Sequence, residues 1–482
     1  MPDNHKEILF HVFTRYAEQP ALVSTRVTLT WKELYRQVIA AGKRLDTLGF
    51  KENDRVAILC DNHIEYIILC LALWRQGAVV VPLSVRWPRG LISGSLRVLA
   101  CKKLLSDPNR FFFDAIIKYW PITDVIPGLS PLAQPEPGEI NIKPEQDCTI
   151  MFTSGSCGTP KAVLHSWANH YYNALGSNQN IAFGPGDRWL LSLPLYHVGG
   201  MAIIFRALAG GGCIAVPDKK LSMEDNIKQL QVTHVSLVAT QLYRLLQNDQ
   251  VAGQLSGLKA MLLGGSAIPD TLVKAAYTRQ LPIYTSYGST EMASQITTTR
   301  PGDSLERLST SGTLLPYREL VVNDHGEILV KGRSLCKGYV KKRLRECIDA
   351  DGWYHSGDLG VIDEHGYLHV TGRKDNMFIS GGENIYPEEI EAALLQQDNI
   401  IQALVVPAPD KEFGSRPAAF VQYRGAPPDF DIMRKTLAEY LPKFKIPVHI
   451  FDWPDGITSC NEKPDRKTFK KLLPGCLNSQ TL

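Results

Sequence analysis

The stretch from Arg55 to Leu83 constrains the fold more than any other part of the chain. RVAILC (55–60) reads as a strand, EYIILCLALWRQG (65–77) as a helix closed by a glycine, and AVVVPL (78–83) as a second strand. Both strands are continuously apolar rather than alternating, as expected when helices cover both faces of a sheet. A helix linking two such strands is a βαβ unit in a parallel sheet. The pattern returns in the middle of the chain: HVSLVAT (234–240) runs into the helix QLYRLLQ, and LKAMLLGG (258–265) and PIYTSYG (282–288) read as further strands. From about residue 310 the style changes. GEILVKG and DGWYHSGDLGVIDEHGYLHVTG read as short antiparallel strands between turns. Beyond GRKDN (372–376), a helix (EEIEAALLQQ), two strands (ALVVPA, AAFVQYR), another helix and a last loop form a small α+β unit. The expected class is therefore α/β, with a large N-terminal domain of parallel-rich sheets covered by helices plus a small β-subdomain over 1–372. A break at 373–375 and a small α+β C-terminal domain over 376–482 follow.

Composition narrows the function classes. With 482 residues, 44% of them hydrophobic, the chain can bury large cores in two or three domains. Its 52 basic and 49 acidic residues balance to a net charge of +3, which argues against a nucleic-acid coat or a disordered charged tail. The basic excess in EKPDRKTFKK (462–471) is either a solvated face or a local anion site. The N-terminal MPDNHKEILF has no apolar signal core, so export is not expected. The longest apolar run, IILCLALW (67–74), stops at Arg75 and is too short to span a bilayer. Ten cysteines are scattered with no C-x-x-C spacing, which disfavours a disulfide framework or zinc site and suits reduced thiols in a cytoplasm.

The segment CTIMFTSGSCGTPK (148–161) carries the first chemical signal. An apolar strand feeds a loop of glycines and hydroxyls that ends in Lys161. Glycines let backbone N–H groups approach an anion, hydroxyls add donors, and the lysine adds charge. The GxxxxGK[ST] phosphate loop is absent because the lysine follows a proline, and an ordinary flexible loop would have a similar composition.

TSGSCGTPK (153–161) resembles the TSGSTGxPK signature of the adenylate-forming superfamily, and further signatures follow in order: YGSTE (287–291), GDLG (357–360), GRKDNMFISGGENIYPEEIE (372–391) and NEKPDRK (461–467). Cys157 stands where the family usually has threonine, and Glu462 where it usually has glycine. The resemblance implies two half-reactions. A carboxylate attacks the α-phosphate of ATP, giving acyl-AMP and pyrophosphate, and a thiol then attacks the acyl carbon and releases AMP. It implies ATP, Mg²⁺ and CoA as cofactor and co-substrates, and a C-terminal domain that rotates about Asp375 between the two steps.

Carried over onto this chain, the resemblance assigns the phosphates to Thr153, Ser154, Gly155, Ser156, Gly158, Thr159 and Lys161. Gly265, Ser286, Tyr287 and Gly288 would surround the rest of the nucleotide, with Tyr287 stacked on adenine, and Thr290 would hydrogen-bond phosphate. Without the motif, Tyr287 reads equally as a core aromatic and Thr290 as a helix cap. Glu291 would hold Mg²⁺, which favours oxygen ligands. Asp358, read as part of a tight Gly-Asp turn, would accept the ribose hydroxyls, and Arg373 would meet the ribose or phosphate. Lys463 would offset charge during adenylation. Gly381 and Gly382 would line the CoA tunnel.

The acyl pocket falls on LSLPLYHVGGMAIIFRALAGGG (191–212). His197 matches a gating position near the reacting carboxylate. Arg206, alone in an apolar helix, either snorkels or pairs with an anionic group of the substrate, because a buried unpaired cation is costly. Gly264, Ser266 and Ser289 complete the expected acyl wall. SLPLYHVGG, HVSLVATQLYRLL, LKAMLLGGSAIP and SYGSTEMASQITT together look like the o-succinylbenzoate–CoA ligase family of menaquinone biosynthesis, whose acid has an aromatic ring, a keto group and a second carboxylate. The alternatives are a ligase for another aromatic or dicarboxylic acid, an adenylation enzyme loading a carrier protein in trans, and a silent adenylate binder. The expected partners are small molecules (ATP, CoA and an aromatic keto-acid), with no nucleic acid and no integral membrane association. A homo-oligomer is left open.

Overall fold

The computed structural model describes residues 8–110, 116–129, 142–153, 161–247, 255, 257–266, 268–340, 342–343, 347–380, 383–397, 399–410, 412–455, 457 and 466–479. Among these, one sheet runs in spatial order Lys342–Arg343, Gly338–Tyr339, Ala162–Ser166, Asp147–Phe152, Val79–Pro82, Arg55–Leu59, Lys103–Ser106, Lys118–Pro121. Arg55–Leu59 and Val79–Pro82 pair in parallel with Ala57 opposite Val81, as the βαβ reading requires. The intervening helix Ile64–Arg75 is buried on nearly every side, which accounts for its uniformly apolar sequence. It ends at Gly77, whose φ of 78° suits glycine.

A second sheet is parallel from Ile283–Ser289 through Ala260–Leu263, His234–Leu237, Arg188–Leu190 and Cys213–Ala215 to Pro20–Val23, with antiparallel edges at both ends. Helices Trp167–Asn180 and Val198–Gly210 lie in the core shared with the first sheet. There the His170 ring stacks on Phe205 at 4.6 Å, and Phe205 lies 5.0 Å from Trp74. The expected β-subdomain is an antiparallel sheet of Arg318–Val322, Glu327–Gly332, Tyr354–Ile362 and Leu368–Arg373.

Three local readings change. The strand at 234–240 ends at Leu237, and Ala239 already opens the next helix. Asp358 lies within the strand Tyr354–Ile362 rather than in a turn. Gly357, at φ 71°, bends that strand before a bulge at Leu359–Gly360. The C-terminal part holds more than a last loop. The strand His449–Asp452 joins Gly414–Tyr423 in parallel, and helix Arg466–Ser479 packs Phe469 and Leu473 against Phe420 and Phe451. Between the two parts, Leu368–Arg373 runs into the short turn Lys374–Asn376, where Lys374 Nζ meets Glu327 at 3.1 Å and Asn376 Nδ2 donates to Glu388 at 2.5 Å. No helix among the described residues is long and apolar enough to cross a membrane.

Candidate functional site

Two parallel strands, Ala260–Leu263 and Ile283–Ser289, end side by side. The carboxyl ends of parallel strands are where open α/β sheets bind ligands. Gly264 and Gly265 follow the first strand. A Cβ on Gly264 would stand 2.8 Å from Ser286 Oγ, and Gly265 has φ 86°. Ser286 Oγ donates to the Leu263 carbonyl at 2.8 Å, tying the two strand ends together.

The second strand turns back through Thr290–Ala293 into Ser294–Thr298. Gly288 is required here, because a Cβ would lie 2.0 Å from the Ser294 carbonyl oxygen. Ala293 at φ 56° and Ser294 at φ 131° are both strained, so the turn needs support from outside itself. Support comes from behind. His165 Nε2 donates to the Thr290 carbonyl at 2.7 Å, and Asn173 Nδ2 donates to the Met292 and Gln295 carbonyls at 2.8 and 2.9 Å. Burial pushes His165 down to about 4, so it holds the turn as a neutral ring. Ser289 Oγ accepts the Met292 N–H at 3.3 Å within the same turn.

Across from this hairpin, Asp358 and Arg373 face each other in register on adjacent strands. Arg373 Nη1 donates to Asp358 Oδ1 at 2.9 Å, and the Tyr287 hydroxyl donates to Asp358 Oδ2 at 2.6 Å. Burial first, then the Asp358 carboxylate, holds the Tyr287 phenol well above its ordinary range. Burial works against Arg373, yet Asp358 and Asp375 outweigh it and raise its pKa. Asp375 itself is largely exposed, 3.5 Å from Arg373 Nη2.

Glu291 and Lys161 converge on one aromatic ring. The Tyr339 hydroxyl donates to Glu291 Oε1 at 2.8 Å, and Lys161 Nζ lies 5.3 Å from the centre of the Tyr339 ring. The base of the loop that Lys161 closes is fixed by the Thr153 N–H, which donates to the Lys161 carbonyl at 3.0 Å. Ser154, Gly155, Ser156, Gly158, Thr159, Gly381, Gly382 and Lys463 lie outside the described residues.

The acyl-pocket candidates sit on a second front. His197 is the residue before helix Val198–Gly210 and has accessible surface. Enclosure by protein, with the Arg86 charge adding to it, holds its pKa down to about 4, so it is neutral at pH 7. Its loop is clamped by Asn62, which donates to the Leu193 carbonyl at 2.8 Å and accepts the Leu195 N–H at 3.0 Å. Arg206 is 1% exposed. Its partners are neutral: Nε donates to Ser177 Oγ at 2.9 Å, Nη2 donates to Gln295 Oε1 at 2.6 Å, and the guanidinium lies 4.7 Å from the Trp189 ring centre. Nη1 is buried with no hydrogen-bond partner among the described residues, and burial lowers the pKa to about 9. Ser266 and Gly265 are exposed at the rim.

The structure thus brings Tyr287, Asp358 and Arg373 into contact, and it joins Lys161 and Glu291 through Tyr339. Tyr339 and His165 were not legible as site residues. The KGYV segment that holds Tyr339 lies between the antiparallel strands Glu327–Gly332 and Tyr354–Ile362, and nothing local marks it as a neighbour of residue 291.

The sequence profile of AMP-binding enzymes matches residues 9–340, and that of the AMP-binding enzyme C-terminal domain matches residues 389–459. A 2-succinylbenzoate–CoA ligase from Geobacillus kaustophilus is 34% identical over 480 residues, covering 95% of this chain and 96% of its own length. Among solved structures, the o-succinylbenzoate CoA synthetase of Bacillus subtilis in complex with the acyl-adenylate intermediate OSB-AMP aligns with a TM-score of 0.86 at 29% identity, covering 96% of this chain and 98% of that one. The same enzyme in complex with ATP and magnesium ion aligns with a TM-score of 0.85 at 28% identity, covering 96% and 99%.

Proposed function

The chain belongs to the AMP-binding enzyme family, and on that premise we propose that it is an AMP-forming acid–CoA ligase that joins 2-succinylbenzoate to CoA. The chemistry rests on one observation: Tyr287, Asp358 and Arg373, from three separate signatures 71 and 15 residues apart, meet in one hydrogen-bonded group beside the strand ends. The choice of acid rests on the near full-length likeness to 2-succinylbenzoate–CoA ligases. The product would enter menaquinone synthesis, in a cytoplasm that supplies ATP and CoA.

In this reading the acid's carboxylate oxygen attacks the α-phosphorus of ATP and the bond to pyrophosphate breaks. The CoA sulfur then attacks the acyl carbon and AMP leaves. Asp358 accepts the ribose hydroxyls through the second lone pair that each of its oxygens keeps, while Tyr287 and Arg373 hold it still. Gly288 and Gly265 let adenine and phosphate approach the backbone, and Ser286 keeps their strands together. Thr290, Thr153 and the loop residues Ser154, Gly155, Ser156, Gly158, Thr159 and Lys161 bind the phosphates. Glu291 fits a magnesium ion: it offers a carboxylate oxygen, the donor type this cation favours, on a partly exposed side chain. When bound there, the ion would neutralise phosphate charge.

Lys463 serves the adenylation step, and Gly381 and Gly382 line the path of the CoA thiol. Residues 1–372 and 376–482 act as two domains hinged at Asp375. His197, neutral at pH 7, stands beside the reacting carboxylate, with Gly264, Ser266 and Ser289 along the acyl wall. Arg206 keeps its buried Nη1 without a hydrogen-bond partner among the described residues, which suits a distal carboxylate of the substrate.

The test is acid-dependent pyrophosphate release with ATP and Mg²⁺ across 2-succinylbenzoate, benzoate, malonate and a medium-chain fatty acid. Turnover with 2-succinylbenzoate alone is expected. Turnover on another acid would keep the chemistry and overturn the substrate.

A further inference from the structure

Glu291 is held by more than its own turn. Its backbone carbonyl accepts the Cys336 N–H at 2.7 Å, and the segment that follows is stitched to the strand leaving the phosphate loop. Lys337 N–H donates to Leu164 O at 2.8 Å, Val340 N–H donates to Ala162 O at 2.9 Å, and Tyr339 stands opposite Val163. The fold thereby fixes the Tyr339 ring between Lys161 and Glu291.

The hydroxyl chemistry has a direction. Tyr339 has one O–H hydrogen, and an ionised carboxylate can only accept. Tyr339 therefore donates to Glu291 Oε1, and the Tyr354 hydroxyl, 2.9 Å from that of Tyr339, donates to Tyr339. Tyr354 lies on the strand that also carries Asp358. The relay Tyr354–Tyr339–Glu291 anchors one carboxylate oxygen, Oε1, and among the described residues it is the Glu291 oxygen that takes a hydrogen bond, leaving Oε2 to a ligand. A glutamate free to rotate must lose rotamer entropy before it can ligate a cation. Held by one oxygen, it presents the other already oriented.

We propose that the Tyr339 hydroxyl, backed by Tyr354, is the positioning group that presents Glu291 to the divalent cation accompanying ATP. The inference rests on the metal role read for Glu291 above. Partners that orient a metal ligand typically change affinity or activity by roughly 10- to 100-fold. Tyr339→Phe removes only the hydroxyl and keeps the ring beneath Lys161, so the phosphate loop's cation keeps its aromatic contact.

The experiment is calorimetric ATP binding by the full-length protein, with no acid present, in the presence and absence of Mg²⁺. The readout is the ratio of the two affinities, which does not depend on the fraction of active protein. Wild type should bind ATP more tightly with Mg²⁺. In Tyr339→Phe that enhancement should shrink about 10-fold or more, with metal-free ATP affinity unchanged. Tyr354→Phe should shift the ratio in the same direction by less, and the Mg²⁺ concentration for half-maximal ATP–pyrophosphate exchange should rise in parallel. An unchanged ratio in both variants would overturn the proposal, as would wild-type binding indifferent to Mg²⁺. If no acid supports pyrophosphate release while the Mg²⁺ ratio behaves as expected, the ligase reading fails and the positioning role stands.

Discussion

Replacing Arg206 with methionine separates its two possible roles, because the structure predicts a small effect on stability and a large one on selectivity. The guanidinium is fully buried, and its ligands in the protein are an amide oxygen, a hydroxyl and a tryptophan face. Two hydrogen bonds from a charged donor contribute about 1.5–3 kcal/mol each, and the cation–π contact about 0.5–2 kcal/mol. Desolvating the cation costs several kcal/mol in the other direction. Removal also leaves little behind: Ser177 Oγ already donates to Gln295 Oε1 at 2.8 Å, and Gln295 Nε2 donates to Thr298 at 2.5 Å, so neither partner is orphaned. Methionine keeps an unbranched stem in the same space. Stability should therefore change by about 1 kcal/mol or less. Loss of a charged contact to the substrate should cost on the order of 2–5 kcal/mol. That corresponds to a fall in kcat/KM of about 30-fold to several thousand-fold for 2-succinylbenzoate, with a plain aromatic acid spared. Denaturant unfolding and steady-state kinetics on both acids test this. Destabilisation beyond about 3 kcal/mol with an equal fall on every acid would refute the reasoning and leave Arg206 as a core residue.

Three further outcomes follow from the same physics. Lys463→Ala should slow acyl-adenylate formation at least ~100-fold and spare thioester formation from supplied acyl-AMP, as rapid-quench analysis of each half-reaction would show; equal loss in both would remove the assigned role. Gly288→Ala drives a Cβ to 2.0 Å from the Ser294 carbonyl oxygen, a backbone atom that cannot step aside. It should cost about 1–3 kcal/mol and weaken ATP binding, and wild-type ATP affinity would contradict the placement of this hairpin at the nucleotide. Burial disfavours the charged form of His63, but Asp107 at 2.8 Å and Glu65 at 3.2 Å outweigh it and raise the pKa from 6.5 to about 9. The resulting stabilisation, at most about 3 kcal/mol, is present below pH 6.5 and lost as pH rises towards 9. The denaturant midpoint of His63→Asn should be flatter than that of wild type across this window.

What the sequence made legible was what repeats or stands close together. Continuous apolar strands around a uniformly apolar helix gave the parallel sheet, and glycine-rich signatures pointed to the strand ends at Gly264, Gly288 and Thr153. Contacts between distant segments were out of reach. Tyr339 is paired to Glu291, 48 residues away, only because Gly338–Tyr339 adds to the edge of Ala162–Ser166. His165, on that same strand Ala162–Ser166, supports Thr290 across 125 residues. The final helix was hidden by Pro474 and by its dense basic residues, although Phe469, Leu473 and Leu477 recur at helical spacing and pack on one face. Its first residue, Arg466, pairs with Glu388 and Glu391 rather than facing solvent, so part of the basic run is an internal clamp. Asp358 read as a turn because a glycine precedes it; the strand tolerates that glycine by bending at a bulge.

The most direct test is a competition. The protein is given ATP, Mg²⁺ and CoA with equimolar 2-succinylbenzoate, benzoate and malonate, and the thioesters are identified by mass spectrometry alongside AMP. The account predicts 2-succinylbenzoyl-CoA as the dominant thioester, formed in a one-to-one ratio with AMP. A different acyl-CoA, or AMP released with no CoA thioester, would contradict it.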